Sequence, residues 1–115
     1  MANIGGNITA AIQRKTRAEK NEMGEAVHDW GTAFEFRGWL GMQSGDSRRT
    51  NYNAKIEEST HVFLSDYHDG VYALASEDTR MIIKGFVYDV LLIDNPDEMN
   101  EQLEIYLKRV GAWNG

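Results

Sequence analysis

The stretch that decides the fold runs from Arg80 to Val110 and reads RMIIKGFVYDVLLIDNPDEMNEQLEIYLKRV. Its apolar residues fall into three runs, Met81–Ile83, Phe86–Ile93 and Leu103–Leu107, separated by breaks that contain Gly, Asn, Asp and Pro. Runs of β-branched and aromatic residues bounded by such breaks predict strands. Three consecutive strands with short connections form a meander, so a partner sheet or barrel closure must cover its apolar face.

The two breaks have different turn chemistry. Lys84-Gly85 predicts a tight hairpin turn, because Gly accepts a positive φ without steric cost. Asp94 to Asp97 predicts a second turn, and the residues from Asp97 to Gln102 could add one helical turn that Pro96 initiates.

Upstream of the meander, three stretches are candidates for further strands. Asn7–Thr16 alternates, with Ile8, Ala10 and Ile12 on one face, and we interpret it as a strand, although Ala10–Lys20 also contains good helix formers. Ile56–Tyr67 predicts another strand. Its alternation puts His61 and Phe63 on one face. The other face carries Thr60, Val62 and Leu64.

The third stretch, Trp30–Met42, alternates over its whole length. One predicted face carries Trp30, Thr32, Phe34, Phe36 and Leu40, and the other carries Gly31, Glu35, Arg37 and Trp39. Gly38 and Gly41 interrupt this pattern and predict a bulge or a sharp bend.

The remaining segments predict connections. Arg17–Asp29 is highly charged and is interpreted as a loop in which nothing packs, and Val71–Ala75 as a strand edge or an irregular crossing. Gln43–Lys55 has no apolar run and is rich in Ser, Gly, Asn, Asp and Arg, which predicts a long exposed loop. A loop of about a dozen residues is uncommon in a small domain and is usually functional or disordered.

These elements predict an all-β fold. We expect a small β-barrel or rolled sheet of about six mostly antiparallel strands, with one long loop and at most one or two short helical turns. Residues 1–115 form a single domain, in which residues 1–6 are a flexible arm, residues 43–55 the long exposed loop and residues 111–115 a tail.

Composition excludes several classes of protein. The chain has 115 residues and a net charge of −6, so sequence-independent DNA binding by the whole surface is disfavoured, because that affinity comes from Lys and Arg at phosphates. It contains no cysteine, which excludes disulfides and thiolate metal sites and fits a reducing cytoplasm. No apolar stretch approaches the roughly 18 residues of a membrane span, and the N-terminus lacks the features of a signal peptide.

No catalytic or metal constellation stands out, and we predict a protein that is not an enzyme and has no cofactor. His61, Asp66, His68 and Asp69 match no ligand spacing and are better explained as a solvated turn. A Ser59, His61, Asp66 triad lacks any nucleophile-elbow pattern. A solvated turn and strand edge is also the better explanation for the acidic residues Asp94, Asp97, Glu98, Glu101 and Glu104.

Two kinds of residue are candidates for contacts with partners. The basic pair Arg48-Arg49 lies in the long loop, where a reaching contact is sterically easy. Trp39 on the polar face of its strand and Trp113 near the C-terminus are typical of interface aromatics, with a core role as the alternative. With the basic run near the N-terminus, they form a candidate assembly interface of Trp39, Trp113, Arg14 and Arg17.

The order of these motifs resembles the head-closure, or head–tail adaptor, proteins of long-tailed phages. The strand ITAAIQRKT precedes a polar loop with Asn-Glu-Met-Gly-Glu and then Trp30, which is similar to the opening of that family. The loop SGDSRRTNYNAK, the strand STHVFLSDY and the ending from Arg80 to Val110 follow in the family's order. The ending resembles its pattern of arginine, apolar strand, x-Gly-x-x-Tyr-x-Val, isoleucine and Asp-x-Pro.

This resemblance implies a structural virion protein of the phage neck. Such a protein forms a ring of copies of itself, twelve-fold in the family, beneath the portal and its adaptor ring. It retains packaged double-stranded DNA, offers a docking surface to the tail terminator or tail tube, and is made in the host cytoplasm. Carried over by position, the DNA-gating loop comprises Ser44, Gly45, Asp46, Ser47, Arg48, Arg49, Thr50 and Asn51.

Two alternatives remain open from the sequence. The first is a tail terminator or another neck ring protein of similar size, which differs in the partner that it caps. The second is a free-standing β-barrel that binds nucleic acid or glycan, and it would need a basic or aromatic groove.

Overall fold

The computed structural model describes residues 5–15, 19–20, 23–24, 26–27, 29–42 and 58–113. Six strands within these residues form a closed barrel: β1 (Ile8–Lys15), β4 (Trp30–Met42), β5 (His61–Asp66), β6 (Thr79–Ile83), β7 (Phe86–Asp94) and β8 (Gln102–Ala112). The two-residue strands β2 (Glu19–Lys20) and β3 (Ala26–Val27) pair with each other as a separate ribbon. The short helix α1 (Asp69–Tyr72) and the 3-10 turns Ser76–Asp78 and Pro96–Glu98 connect barrel strands.

The barrel closes because β1 pairs on both of its edges. The strand order is β1–β4–β5–β8–β7–β6, and β6 pairs back onto β1. All of these pairs are antiparallel. The all-β barrel of six antiparallel strands predicted from the sequence is therefore confirmed.

The inner face of the barrel is a single apolar core. Residues that alternate along the strands supply it, as expected for a small barrel that side chains fill. Phe36 and Phe63 meet edge to face with ring centroids 5.5 Å apart near its centre. Its buried members are Ala10, Ile12, Phe36, Phe63, Val71, Met81, Ile83, Tyr88, Val90, Leu103, Ile105 and Leu107.

Several local predictions are confirmed. Within the predicted stretch Asn7–Thr16, Ile8–Lys15 form strand β1 with Ala10 and Ile12 inside, and β5 buries His61 and Phe63. Lys84 and Gly85 form the β6–β7 turn with φ values of 50° and 81°, both in the left-handed region. The helical turn predicted for Asp97–Gln102 differs, because the structure has only a short 3-10 turn at Pro96–Glu98, in which Asp97 and Glu98 have positive φ.

The predicted faces of β4 are wrong at its start. Between Ile12 and Gln13 the register with β4 shifts, so Ile12 lies opposite Phe34, Gln13 lies opposite Thr32, and Ala33 is an extra residue. Because side chains alternate between the two faces of a strand, one extra residue moves the side chains of all preceding strand residues to the opposite face. The bulge therefore moves Trp30 from the predicted core face to the outside.

Gly38 has a different role from the predicted bulge. Its position pairs regularly with β1 and β5, and a Cβ there would meet the backbone oxygen of Leu64 and lie 2.6 Å from the Phe63 ring. On the other side, Gly6 crosses β4 directly against Gly38. Glycine is thus required for close approach of the chain.

Three connections also differ from the predictions. Arg17–Asp29 was expected to lack regular structure but contains the β2–β3 ribbon. Val71–Ala75 begins within α1, where the Tyr72 N–H donates to the His68 carbonyl oxygen at 3.0 Å. Gly111 and Ala112, predicted to belong to a tail, end β8 because they pair with Val87 and Phe86.

No helix in the described part of the chain is both long and apolar enough to span a membrane.

Candidate functional site

The described strand ends that flank the predicted long loop lie at one end of the barrel. Residues 43–57, which include the predicted gating residues Ser44 to Asn51, lie outside the described residues. On their N-terminal side, Met42 ends β4, and its pairing partner His61 begins β5. The Lys84-Gly85 turn and Ala112, the last residue of β8, lie at the same end, which we call the loop end.

Arg109 contacts several residues of the loop end. Its guanidinium lies 4.1 Å from the centroid of the Phe86 ring and donates to the Tyr88 hydroxyl from Nη2 at 2.8 Å and from Nε at 3.3 Å. The arginine is exposed, whereas Tyr88 is fully buried. A cation held over aromatic rings in this way has fewer rotamers to lose when it meets a ligand.

His61 adds a second polar group at the loop end. Its ring packs edge-on against Tyr88, with centroids 5.1 Å apart, and Nδ1 lies 2.9 Å from the Thr60 hydroxyl. The backbone N–H of Arg109 donates to the same hydroxyl at 2.8 Å. Burial and, to a smaller extent, the nearby Arg109 charge lower the pKa of His61, which favours the neutral imidazole.

The charged residues of the barrel are distributed unequally between its ends. The loop end carries Lys84, Lys108 and Arg109, with Glu58 as its acidic residue, and Asp89 lies between the two ends, opposite both Lys108 and Arg80. The opposite end, which we call the acidic end, contains Arg14, Lys15 and Arg80 among many carboxylates. These are Asp29, Asp66, Asp69, Glu77, Asp78, Asp94, Asp97, Glu98, Glu101 and Glu104.

Two basic residues of the acidic end are engaged with Trp30. The Arg80 guanidinium lies 4.4 Å from the Trp30 ring centroid, and Lys15 Nζ lies 5.6 Å from it. Arg80 Nε also donates to Gln13 Oε1 at 2.8 Å, and burial lowers the pKa of Arg80. These cations stabilise the outward position of Trp30.

The turn between β7 and β8 holds three residues in left-handed backbone conformation, Asp97, Glu98 and Asn100. Buried Asn95 fixes it by a double hydrogen bond: Asn95 Nδ2 donates to Asn100 Oδ1 at 2.8 Å, and the Asn100 N–H donates to Asn95 Oδ1 at 3.1 Å. Left-handed conformation is costly for residues other than glycine, so the asparagine pair offsets a strained backbone.

The structure separates the residues of the predicted His/Asp cluster. His61 begins β5 and Asp66 ends it, so they lie at opposite ends of the strand. His68 instead packs edge-on against Phe36, with centroids 5.5 Å apart, and Asp69 accepts a hydrogen bond from Tyr67 that raises the pKa of the tyrosine. Among the described residues, no group of three or more His, Asp or Glu side chains is arranged to hold a metal ion.

The four residues of the predicted assembly interface do not form one patch. Trp113 is 43% exposed at the loop end, and Trp39 is 45% exposed on the outer face of β4. Arg14 is exposed at the acidic end, and Arg17 lies outside the described residues. Sequence analysis missed Lys84, Lys108 and Arg109, although the hairpin register places Phe86 opposite Ala112 and so brings these basic residues to one end.

Comparison with known proteins identifies relatives of this barrel. The phage head completion protein family matches residues 7–110. The solution structure of protein SF1141 from Shigella flexneri 2a has a TM-score of 0.64 at 15% identity, covering 95% of this chain and 96% of that chain. A chain from the virion of a native gene transfer agent particle has a TM-score of 0.58 at 16% identity, covering 92% and 96%. No curated protein matches the sequence significantly.

Proposed function

The chain belongs to the phage head completion protein family, and we propose that it closes the filled head at the neck of a long-tailed phage. Its role in the phage particle is structural. In the proposed assembly, copies of the chain form a ring, twelve-fold by analogy with the head-closure proteins that the sequence resembles. The ring lies between a portal-side adaptor ring and the tail terminator or tail tube, and it is assembled from protein made in the host cytoplasm.

DNA retention is the task proposed for the long loop. Residues Ser44 to Asn51 would reach into the axial channel, where Arg48 and Arg49 can bind phosphates. The observation that carries this proposal is the placement of the loop: Met42, which precedes it, lies at the end that carries Lys84 and Arg109, away from the acidic end. Attachment at the acidic end would instead oppose the approach of DNA, because carboxylates repel phosphates.

In the proposed ring, copies of the chain would contact their neighbours through exposed residues at the loop end and at the acidic end. Trp113 and Trp39 present indole rings to solvent on the described surface. Aromatic residues and arginine are enriched at protein interfaces, which supports a role for these tryptophans and for Arg14 and Arg17. We expect the isolated chain to be largely monomeric and to form its ring on the portal-side partner.

The decisive experiment adds purified protein to DNA-filled heads that lack it. Wild-type protein should protect the packaged DNA from nuclease and permit tail joining. A chain that lacks Thr50 to Ala54 should still be incorporated but should let DNA leak, because the barrel that supports assembly is intact. If heads without the protein keep their DNA and join tails normally, the proposed function is wrong.

A matched pair of variants separates the loop from the barrel. Arg48→Ala with Arg49→Ala removes two charges from the loop, whereas Arg37→Ala removes an exposed charge from the outer face of β4. We expect faster DNA loss for the loop variant and no change for Arg37→Ala, both measured as nuclease-sensitive DNA per head. Equal losses would contradict a specific role for the loop.

A further inference from the structure

A group of exposed apolar residues, which we call the knob, lies at the loop end. It consists of Phe86, Val110 and Trp113, whose side chains are 36%, 61% and 43% exposed. Val110 is the extra residue of a bulge in β8, because Val87 pairs with Gly111 and Tyr88 with Arg109. The backbone N–H of Trp113 donates to the Gly85 carbonyl oxygen at 2.9 Å, which fixes the tryptophan beside the β6–β7 turn.

A groove of about 510 Å³ lies at the acidic end, between the start of β4 and the segment that contains α1. Its walls are Phe34 and Leu74, and small residues line much of the rest. Phe34 packs directly over Gly70, so the absence of a side chain at Gly70 shapes this part of the groove.

The charges around the knob and the groove are complementary. Lys84 and Arg109 lie beside the knob, and Arg109 stacks on Phe86 within it. Asp78 lines the groove, and its exposed chain neighbour Glu77 extends the acidic rim. Arg14 is the cation among the lining residues, so the lining carries one charge of each sign and Glu77 is an additional carboxylate beside it. Opposite charges at the edge of an apolar contact favour one orientation of association over others.

We infer that the knob of one copy of this chain docks into the groove of the next copy. The inference rests on the ring of the proposed function and names the surfaces that build it. Knob and groove lie at opposite ends of one barrel, so a chain cannot fill its own groove. A contact between two different surfaces of identical chains is heterologous, and it generates a closed ring when the rotation closes.

A second copy is the occupant that the described surface favours. Both halves of the contact are present on the same chain, and their apolar and charged parts match in kind. The contact also explains why Trp113 and Arg14, both predicted from the sequence to mediate assembly, lie at opposite ends of the barrel. In a heterologous interface, they meet between neighbouring copies.

The absence of cysteine from the sequence permits a clean crosslinking test. Ala112→Cys places a thiol beside the knob, and Ala75→Cys places one in the groove, both at exposed small residues. DNA-filled heads that lack the protein receive either variant alone or an equal mixture, followed by oxidation or a short bismaleimide. We expect crosslinked dimers from the mixture only, and a ladder of multimers from a chain that carries both substitutions.

The outcomes separate this inference from the proposed function. Dimers from Ala112→Cys alone would indicate a contact between like surfaces and overturn the inference. Absence of crosslinks from heads that retain DNA and join tails would also overturn it and leave the proposed function standing. Failure of wild-type protein to protect the DNA would instead contradict the proposed function. A chain with Ala112→Cys and Arg37→Cys is the matched control, and an equal ladder from it would count against the groove.

Discussion

Arg109 shows at the scale of a single residue how one side chain links the core to the loop end. It contacts Phe86 through its guanidinium face and Tyr88 through two N–H groups, and its own backbone N–H reaches Thr60. Its charge also lies close enough to His61 to favour the neutral imidazole. Packing, hydrogen bonding and titration at the loop end thus depend on the same arginine.

Arg109→Met should raise the pKa of His61. The substitution keeps an apolar side chain over Phe86 and removes the positive charge, so the charged imidazole is less disfavoured. Burial remains and should keep the pKa below 6.5. NMR titration of the His61 ring measures the change. Lys108→Met is the control, because Lys108 lies on the opposite face of β8, and an equal shift in that variant would contradict a specific effect of Arg109.

Neutral His61 should also make stability depend on pH. Its folded-state pKa lies below the unfolded value, so the unfolded chain binds more protons between the two values. The stabilisation is fully present above the unfolded pKa of about 6.5 and is lost as the pH falls through the folded-state pKa. Urea unfolding should therefore show a smaller loss of stability on acidification for His61→Gln than for the wild type. An identical slope would refute the assignment.

Gly38→Ala should destabilise the barrel. The new Cβ would be forced against Leu64 and the Phe63 ring, and overpacking of this kind costs roughly 1–3 kcal/mol. Gly111→Ala is the matched control in another strand, since a Cβ there has no atom within 4 Å among its described surroundings. The free energy of unfolding in urea distinguishes the two variants, and equal values would show that the close approach at Gly38 is unimportant.

At the scale of elements, sequence patterns predicted the strands well where one face is buried and less well where the register shifts. The strands β1, β5 and β7 and the turn at Lys84 and Gly85 can be recognised from the local sequence alone, by alternation of residue types and by turn residues. The bulge at Ala33 has no such signal, because its position depends on how β4 meets β1. Helix α1 is four residues long, too short to show helical periodicity in the sequence.

The candidate site was predictable only in part for the same reason. Trp113 and Arg14 stand out from the sequence as an exposed aromatic and a basic residue. Lys84 and Arg109 come together only through the pairing of β6, β7 and β8, and Phe34 meets Gly70 only through the tertiary fold. Contacts that depend on three-dimensional register leave no local pattern in the sequence.

Asn95→Ala should loosen the β7–β8 turn. It removes both hydrogen bonds that hold Asn100, and the left-handed residues then lose the partner that offsets their strain. Loss of buried hydrogen bonds typically costs about 1–3 kcal/mol. Urea unfolding and hydrogen exchange at residues 96–101 are the measurements. Met99→Ala, at an exposed position of the same turn, should leave both nearly unchanged, and a comparable loss there would argue against the asparagine pair.

For the whole molecule, the separation of charge matters more than the net charge of −6. A uniformly acidic barrel would repel its own copies, whereas a barrel with a basic end and an acidic end attracts them in one orientation. In the proposed function, the same separation would let DNA approach the end at which Met42 precedes the predicted loop. Net charge alone would have disfavoured both associations.

Incorporation into heads should therefore weaken as salt increases. Exposed charges are screened over about 10 Å at 0.1 M and about 3 Å at 1 M salt, so the attraction between the two ends should fade across this range. Copies per head, measured by quantitative gel or mass spectrometry, should fall for the wild type. Lys84→Gln with Arg109→Gln should start lower and change less. Incorporation that is independent of salt would contradict an electrostatic contribution.

The path of the chain through the barrel has a practical consequence. Gly5 lies near Asp66 at the acidic end, with its N–H 3.4 Å from the carboxylate, and Trp113 lies at the loop end. In the head-to-tail contact inferred above, Trp113 of one copy would lie at the acidic end of the next copy, where Gly5 also lies. Two copies could therefore be fused in tandem through a short flexible linker, and such a single-chain pair would let asymmetric substitutions be placed at defined positions around one ring.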